Sequence, residues 1–123
     1  MMVDRNEYKV CYDHIMKNGL IIDQYGTKIW YKDDEYHRDN GPAVEHISGN
    51  KYWFQNGTWH RIDGPAVINE HGKFWYQYGK NHRLDGPAME YTDGYKLWYY
   101  QGEHIECKSQ KEFERILRLK IFW

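Results

Sequence analysis

His60-Arg61-Ile62-Asp63-Gly64-Pro65-Ala66, followed by Gly72-Lys73-Phe74-Trp75-Tyr76, is the clearest copy of a unit that recurs along this chain. Trp30, Trp53, Trp75 and Trp98 stand 23, 22 and 23 residues apart. His37, His60, His82 and His104 keep step with them, as do Gly49, Gly72 and Gly94. A fixed period of this size marks stacked supersecondary units, so recurring residues are first suspected of holding the stack together. The period reaches back to His14, and residues 20–26 match 66–72 in length and turn. The interior copies are strong and the terminal ones degenerate, as a capped stack requires.

Each unit reads as two strands. Lys73-Phe74-Trp75-Tyr76-Gln77 forms the first, bounded by Gly72 and Gly79, and Asn56-Gly57 is a hairpin turn signal in the preceding copy. The chain returns through Trp59-His60-Arg61 until Gly64-Pro65 forces a bend or bulge, because proline cannot donate to a sheet ladder. Alternation sorts the residues into two faces. Ile29, Tyr52, Phe74 and Leu97 before each Trp, with Tyr31, Phe54, Tyr76 and Tyr99 after it, share the expected core face. Trp lies on the other face, flanked by Lys28, Lys51, Lys73 and Lys96. At the end of the chain, Ser109-Gln110-Lys111-Glu112 has the form of a capping box. Phe113, Ile116, Leu117 and Ile121 then follow at helical spacing, predicting a helix over 110–120 that covers the last hairpin.

The expected fold is an all-β repeat: a meandering antiparallel sheet of stacked β-hairpins, about four units of 22–23 residues, with a C-terminal capping α-helix. One domain of 123 residues is expected, with a degenerate half-unit over 1–25, hairpin units over 26–107 and the cap over 108–123. Aromatic residues make up 18% of the chain, so Trp, Tyr and Phe must supply most of the buried surface. A net charge of −1 provides no global field for DNA, RNA or an anionic membrane.

Asp4, Arg5, Glu7 and Lys9 leave no apolar stretch for a leader, and no run approaches the roughly 20 apolar residues of a membrane span. Cys11 and Cys107 lie near opposite ends of the array. With strands stacked at about 4.8 Å, they are too far apart for a disulfide, which needs Cα atoms within about 7 Å. Both read as free thiols of a reducing cytoplasm.

The pattern Gly-x-Lys-x-Trp-Tyr-x-x-Gly-x-x-His-Arg-x-Asp-Gly-Pro-Ala resembles MORN-type repeats over roughly residues 14–105. Arg61 and Arg83 after the His, and Gly-Pro in place of a second Gly, bring it nearer the variant common in bacterial and viral proteins. The whole chain also resembles short proteins encoded by tailed phages. The resemblance implies a hairpin meander with a binding or spacing role and no shared catalytic residue.

In-phase histidines raise the question of a metal. Equivalent residues in neighbouring units sit two strands apart, roughly 9–10 Å, whereas zinc ligands lie within about 2.0–2.3 Å of the ion. No metal or other cofactor is therefore expected. His60, Arg61 and Asp63, or His82, Arg83 and Asp85, could form a general base with an electrostatic clamp. Recurrence favours instead a bracing of the bend before Gly-Pro. The candidate ligand-binding residues are Lys51, Trp53, Lys73, Trp75, His60, Arg61, His82 and Arg83. There an indole could stack on a base or sugar while Lys or Arg holds a phosphate; the plainer alternative is packing, with lysine stems across indole rings. The expectation is a non-enzymatic binding module for a host protein or a small nucleotide-like immune signal. A self-associating structural module, or a hydrolase using one His-Arg-Asp group, are the alternatives.

Overall fold

A computed structural model describes residues 15–121. The in-phase His14, the thiol of Cys11 and the apolar terminus Phe122-Trp123 lie outside the described residues. The strands are β1 (Gly19–Ile22), β2 (Lys28–Lys32), β3 (Glu35–Tyr36), β4 (Val44–Glu45), β5 (Lys51–Tyr52), β6 (Phe54–Gln55) and β7 (Thr58–Trp59). They continue as β8 (Val67–Asn69), β9 (Gly72–Phe74), β10 (Tyr76–Gln77), β11 (Lys80–Asn81), β12 (Met89–Tyr91), β13 (Lys96–Tyr100) and β14 (Glu103–Ile105), before helix α1 (Gln110–Ile121). The main sheet runs β1-β2-β4-β5-β8-β9-β12-β13-β14, antiparallel throughout, with β3 also paired to β2. The fold is the hairpin meander with a C-terminal helix that the period predicts.

The strand through each central Trp is not continuous. β5 and β6 are separated at Trp53, and β9 and β10 at Trp75, because the two halves pair with different neighbours. Trp53 donates its backbone N–H to Ala66 O at 2.7 Å and accepts at its carbonyl from His60 N at 3.0 Å. The half before the Trp therefore belongs to the main sheet, and the half after it to a tight hairpin with the returning His strand. Successive hairpins are joined by backbone bonds from Gly57 N to Tyr36 O, Gly79 N to Trp59 O and Gly102 N to Asn81 O, and by Arg38 N to Phe54 O, Arg61 N to Tyr76 O and Arg83 N to Tyr99 O. Asn56 and Gly57, with φ of 49° and 79°, form the turn type whose twist matches the flanking strands.

Register lays two ladders across the sheet. Ile29, Val44, Tyr52, Val67, Phe74, Met89 and Leu97 are successive cross-strand partners on one face. Lys28, Glu45, Lys51, Ile68, Lys73, Glu90 and Lys96 follow one another on the opposite face. Alternating charges across a sheet support pairing; Ile68 breaks the alternation, leaving Lys51 and Lys73 flanking an apolar residue.

The eight residues assigned to the core are half-buried rather than fully so. Away from the α1 contact the deepest positions are small: Ala43, Ala66 and Ala88 are wholly inaccessible, and Val44 and Val67 nearly so. The switch of partners at Trp explains this, since Tyr52 and Phe54 serve different hairpins. Ring contacts run Tyr31, Tyr36, Phe54, Trp59, Tyr76 through the tight hairpins, while Phe74 meets Tyr91 in the main sheet.

The third unit is one residue short, which accounts for the 22-residue step. Its hairpin closes with Asn69 opposite Gly72, leaving only two residues in the turn. Gly72 adopts φ +151°, and a Cβ there would lie 2.1 Å from Glu90 O. Gly49 and Gly94, by contrast, close three-residue turns with open space around them.

Ser109 caps α1 by accepting from Glu112 N at 3.1 Å. The Glu112 carboxylate reaches back to Lys108 N at 2.7 Å, one residue earlier than a standard capping box places it. Phe113 and Leu117 then bury their side chains with Trp98 and Ile105.

Candidate functional site

Each interior unit places an arginine eight residues after its Trp, and the two side chains stack. The guanidinium carbon lies 3.7 Å from the ring centre for Arg38 over Trp30, 4.0 Å for Arg61 over Trp53 and 3.8 Å for Arg83 over Trp75. Behind the guanidinium sits the glycine of Gly-Pro. A Cβ on Gly41, Gly64 or Gly86 would come within 2.8, 2.7 or 2.6 Å of that carbon. Nη1 donates to the carbonyl of Pro42, Pro65 or Pro87 at 3.0–3.1 Å. The arginine is thus held flat between an indole and a glycine by its own loop, a desolvated arrangement in which cation–π attraction is strong. This is the physical content of His-Arg-x-x-Gly-Pro-Ala.

The carboxylate partners differ between units. Arg38 pairs with Glu45 at 3.0 Å; Arg83 pairs with Glu90 at 2.8 Å and with Asp85 at 2.9 Å. Arg61 has only the exposed Asp63, at 3.2 Å, because Ile68 stands where the others have Glu.

The histidines join units. Nδ1 of His37, His60 and His82 accepts the backbone N–H of Asn56, Tyr78 and Gln101 in the next hairpin at 2.9–3.0 Å. Those three residues have φ near +50°, a strained conformation for a non-glycine residue. Burial holds the pKa of His60 and His82 below the usual histidine value. In the second and third units Asp63 and Asp85 bond the arginine, whereas His37 is bonded to Asp39 at 2.8 Å. Burial, then the Glu112 charge, pushes the Cys107 thiol up, the direction opposite to an activated nucleophile. Among the described residues no three His, Cys, Asp or Glu side chains converge as metal ligands do.

Between consecutive loops lie two open grooves. The first, about 720 Å³, has Trp53 and Gln55 as its floor and the loops bearing Arg38 to Gly41 and His60 to Asp63 as its walls. The second, about 580 Å³, repeats the arrangement with Trp75 and Gln77 between Ile62 to Pro65 and His82 to Asp85. Of the residues singled out from the sequence, Trp53, His60 and Arg61 therefore line one groove, and Trp75, His82 and Arg83 the other. Lys51 and Lys73 line neither; they are exposed on the charge ladder. An arginine already covers one face of each indole, so a base would have to displace it to stack there. In the first groove Gln55 Nε2 donates to the Arg38 carbonyl at 2.9 Å, which ties the floor to one wall.

Sequence reasoning passed over Ile62 and Leu84. Each is apolar, stands at a groove lip and is 71% and 55% exposed, respectively. Their signal was available, since both occupy the variable position of a motif that is otherwise polar or small.

No protein-family model, curated protein or solved structure matches the chain. Among the described residues no helix is long and apolar enough to cross a membrane.

Proposed function

We propose that this chain is a non-enzymatic, MORN-like binding module whose ligand surface is the pair of grooves over Trp53 and Trp75. The observation that carries the reading is that two equivalent grooves lie side by side, each edged by an exposed apolar residue on an arginine-braced loop. Exposed apolar residues beside convergent polar groups favour a protein partner over solvent. The arginines are already engaged by indoles, carbonyls and carboxylates, which disfavours a phosphate cradle. With the phage resemblance added, the partner would be a host protein captured in the host cytoplasm in an anti-defence role.

A second reading is favoured by one specific feature. Arg61 lacks a Glu partner, and Lys51 and Lys73 flank Ile68 on the same sheet face. An anionic, nucleotide-like immune signal would find its least neutralised cations there.

Recovery of the pure protein from a host extract, followed by denaturation and mass spectrometry, separates the two. The double variant Ile62→Ser/Leu84→Ser changes only exposed side chains, so its unfolding temperature should be unchanged while a captured protein is lost. Retention of that protein by the variant would remove the grooves from the account. Release of a small phosphorylated molecule would transfer it to Arg61 and its lysines.

A further inference from the structure

The groove series has a third member, and the chain fills it itself. Trp98, Tyr100, Ile105 and Cys107 stand where Trp75, Gln77, His82 and Leu84 stand one unit earlier, so His104 is one residue out of phase and Ile105 takes the histidine's place. No arginine follows Trp98 at the usual spacing; Glu106 occupies that place. Instead α1 lies over this position, with Phe113, Leu117 and Ile116 packed together with Trp98, Ile105, Tyr100 and Cys107. Gln110, in the first turn of α1, ties the two walls: its Oε1 accepts from Trp98 Nε1 at 2.8 Å and its Nε2 donates to Leu84 O at 2.8 Å.

The same two groups are presented, without α1, in the other grooves. Among the described residues the indole N–H of Trp53 and of Trp75 has no hydrogen-bond partner; the carbonyls equivalent to that of Leu84 belong to Asp39 and Ile62. We infer that these grooves receive an amphipathic helix of a protein partner, which runs beside the arginine-covered indoles and places its first-turn amide as α1 places Gln110. An amide side chain in its first turn bridges the indole N–H and the loop carbonyl. Apolar side chains three and seven residues further on meet Ile62 or Leu84, as Phe113 and Leu117 follow Gln110.

Two features specify the helix further. Asp39, Asp63 and Asp85 stand on the rims, bonded to His37, Arg61 and Arg83 yet each at least 85% exposed and open to a second cation, so basic flanks suit the helix; α1 carries Lys111 and Arg118 beside Glu112 and Glu114. Successive units lie two strands, roughly 9–10 Å, apart, which is the separation of packed helices; a helix in the second groove would therefore lie against α1. Gln77 and His82 replace Tyr100 and Ile105, so this groove is wetter than the one α1 fills and suits an exchangeable occupant.

The inference rests on the grooves being the ligand surface. Its probe is a synthetic peptide of residues 108–121, held helical by a lactam bridge between Arg115→Lys and Leu119→Glu, both exposed positions. It is titrated into the full chain carrying ¹⁵N-labelled indoles. The expected result is a saturable shift of the Trp53 or Trp75 N–H resonance, weakened about tenfold when the peptide carries Gln110→Leu, as loss of one bridging amide implies. A shift confined to Trp98, which reports exchange with the resident helix, would overturn the inference. So would silence up to millimolar peptide, or a response to an anionic nucleotide alone. If the peptide is inert while Ile62→Ser/Leu84→Ser still abolishes capture of a protein partner, the groove reading stands and only the helix is wrong.

Discussion

Arg61 places its guanidinium carbon 4.0 Å from the centre of the Trp53 ring, with Gly64 closing its other side. This contact, and its counterparts at Trp30 and Trp75, convert a surface loop into a braced wall. The walls in turn define the grooves. The braces and the groove walls are thus built from the same residues.

Removing the brace should be measurable. Arg61→Ala should lower unfolding free energy by about 2 kcal/mol, combining a partly buried cation–π contact with a charged hydrogen bond to Pro65 O. Gly64→Ala should cost a similar amount by displacing the guanidinium. In the Arg61→Ala background it should cost little, and urea denaturation of the double-mutant cycle would reveal the coupling. Additive losses would show that the sandwich is not the cause.

The histidine staples predict an acid-sensitive fold. His60 and His82 have folded-state pKa values lowered from 6.5 by burial, so the unfolded chain binds more protons as pH falls. Their contribution is complete above pH 6.5 and is lost as pH drops through the lowered folded values. Urea midpoints should be flat from pH 7 to 8 and fall below about 6.5. The pair His60→Asn/His82→Asn, whose amide oxygen can accept the same N–H without titrating, should flatten that decline. An unchanged slope in this variant would place the titration elsewhere.

Turn glycines should not be equivalent. Gly72→Ala must push a Cβ into the Glu90 carbonyl, and a loss of at least about 3 kcal/mol is expected. Gly49→Ala meets only the conformational cost of positive φ, about 1 kcal/mol. Thermal unfolding of the two variants compares them directly; equal losses would contradict the tight third turn.

Gln110 should couple α1 to the sheet. Gln110→Leu leaves the Trp98 indole N–H and the Leu84 carbonyl without their bridge and should cost about 1–2 kcal/mol. Hydrogen exchange should accelerate at the Trp98 indole and through α1, with the tight hairpin of β6 and β7 unaffected. Uniform acceleration would mean that α1 is not a separate cap.

Much of the fold was legible because Trp, His and Gly recur in phase, and phase alone dictates a stacked hairpin meander. The break at Trp53 and Trp75 was not, since alternation within Lys73-Phe74-Trp75-Tyr76-Gln77 reads as one strand whichever neighbour each half bonds. The depth of Ala43, Ala66 and Ala88 was hidden likewise, because small residues give no hydropathy signal. At the site, packing of a cation on each indole was legible, but the cation is the arginine eight residues on and not the neighbouring lysine. That spacing, repeated three times and absent after Trp98, was present in the chain all along. Lys51 and Lys73 lie on the charge ladder outside both grooves, because sharing a face with Trp does not put a side chain into the groove.

Whether a partner sits in the grooves over Trp53 and Trp75 can be read by site-specific photocrosslinking. A photoreactive residue at Ile62 on the groove lip is compared with one at Ile47, which is 84% exposed and outside both grooves. A discrete adduct with a host protein is expected from position 62 and none from position 47. Adducts of equal yield from both positions, or from 47 alone, would contradict binding in the grooves.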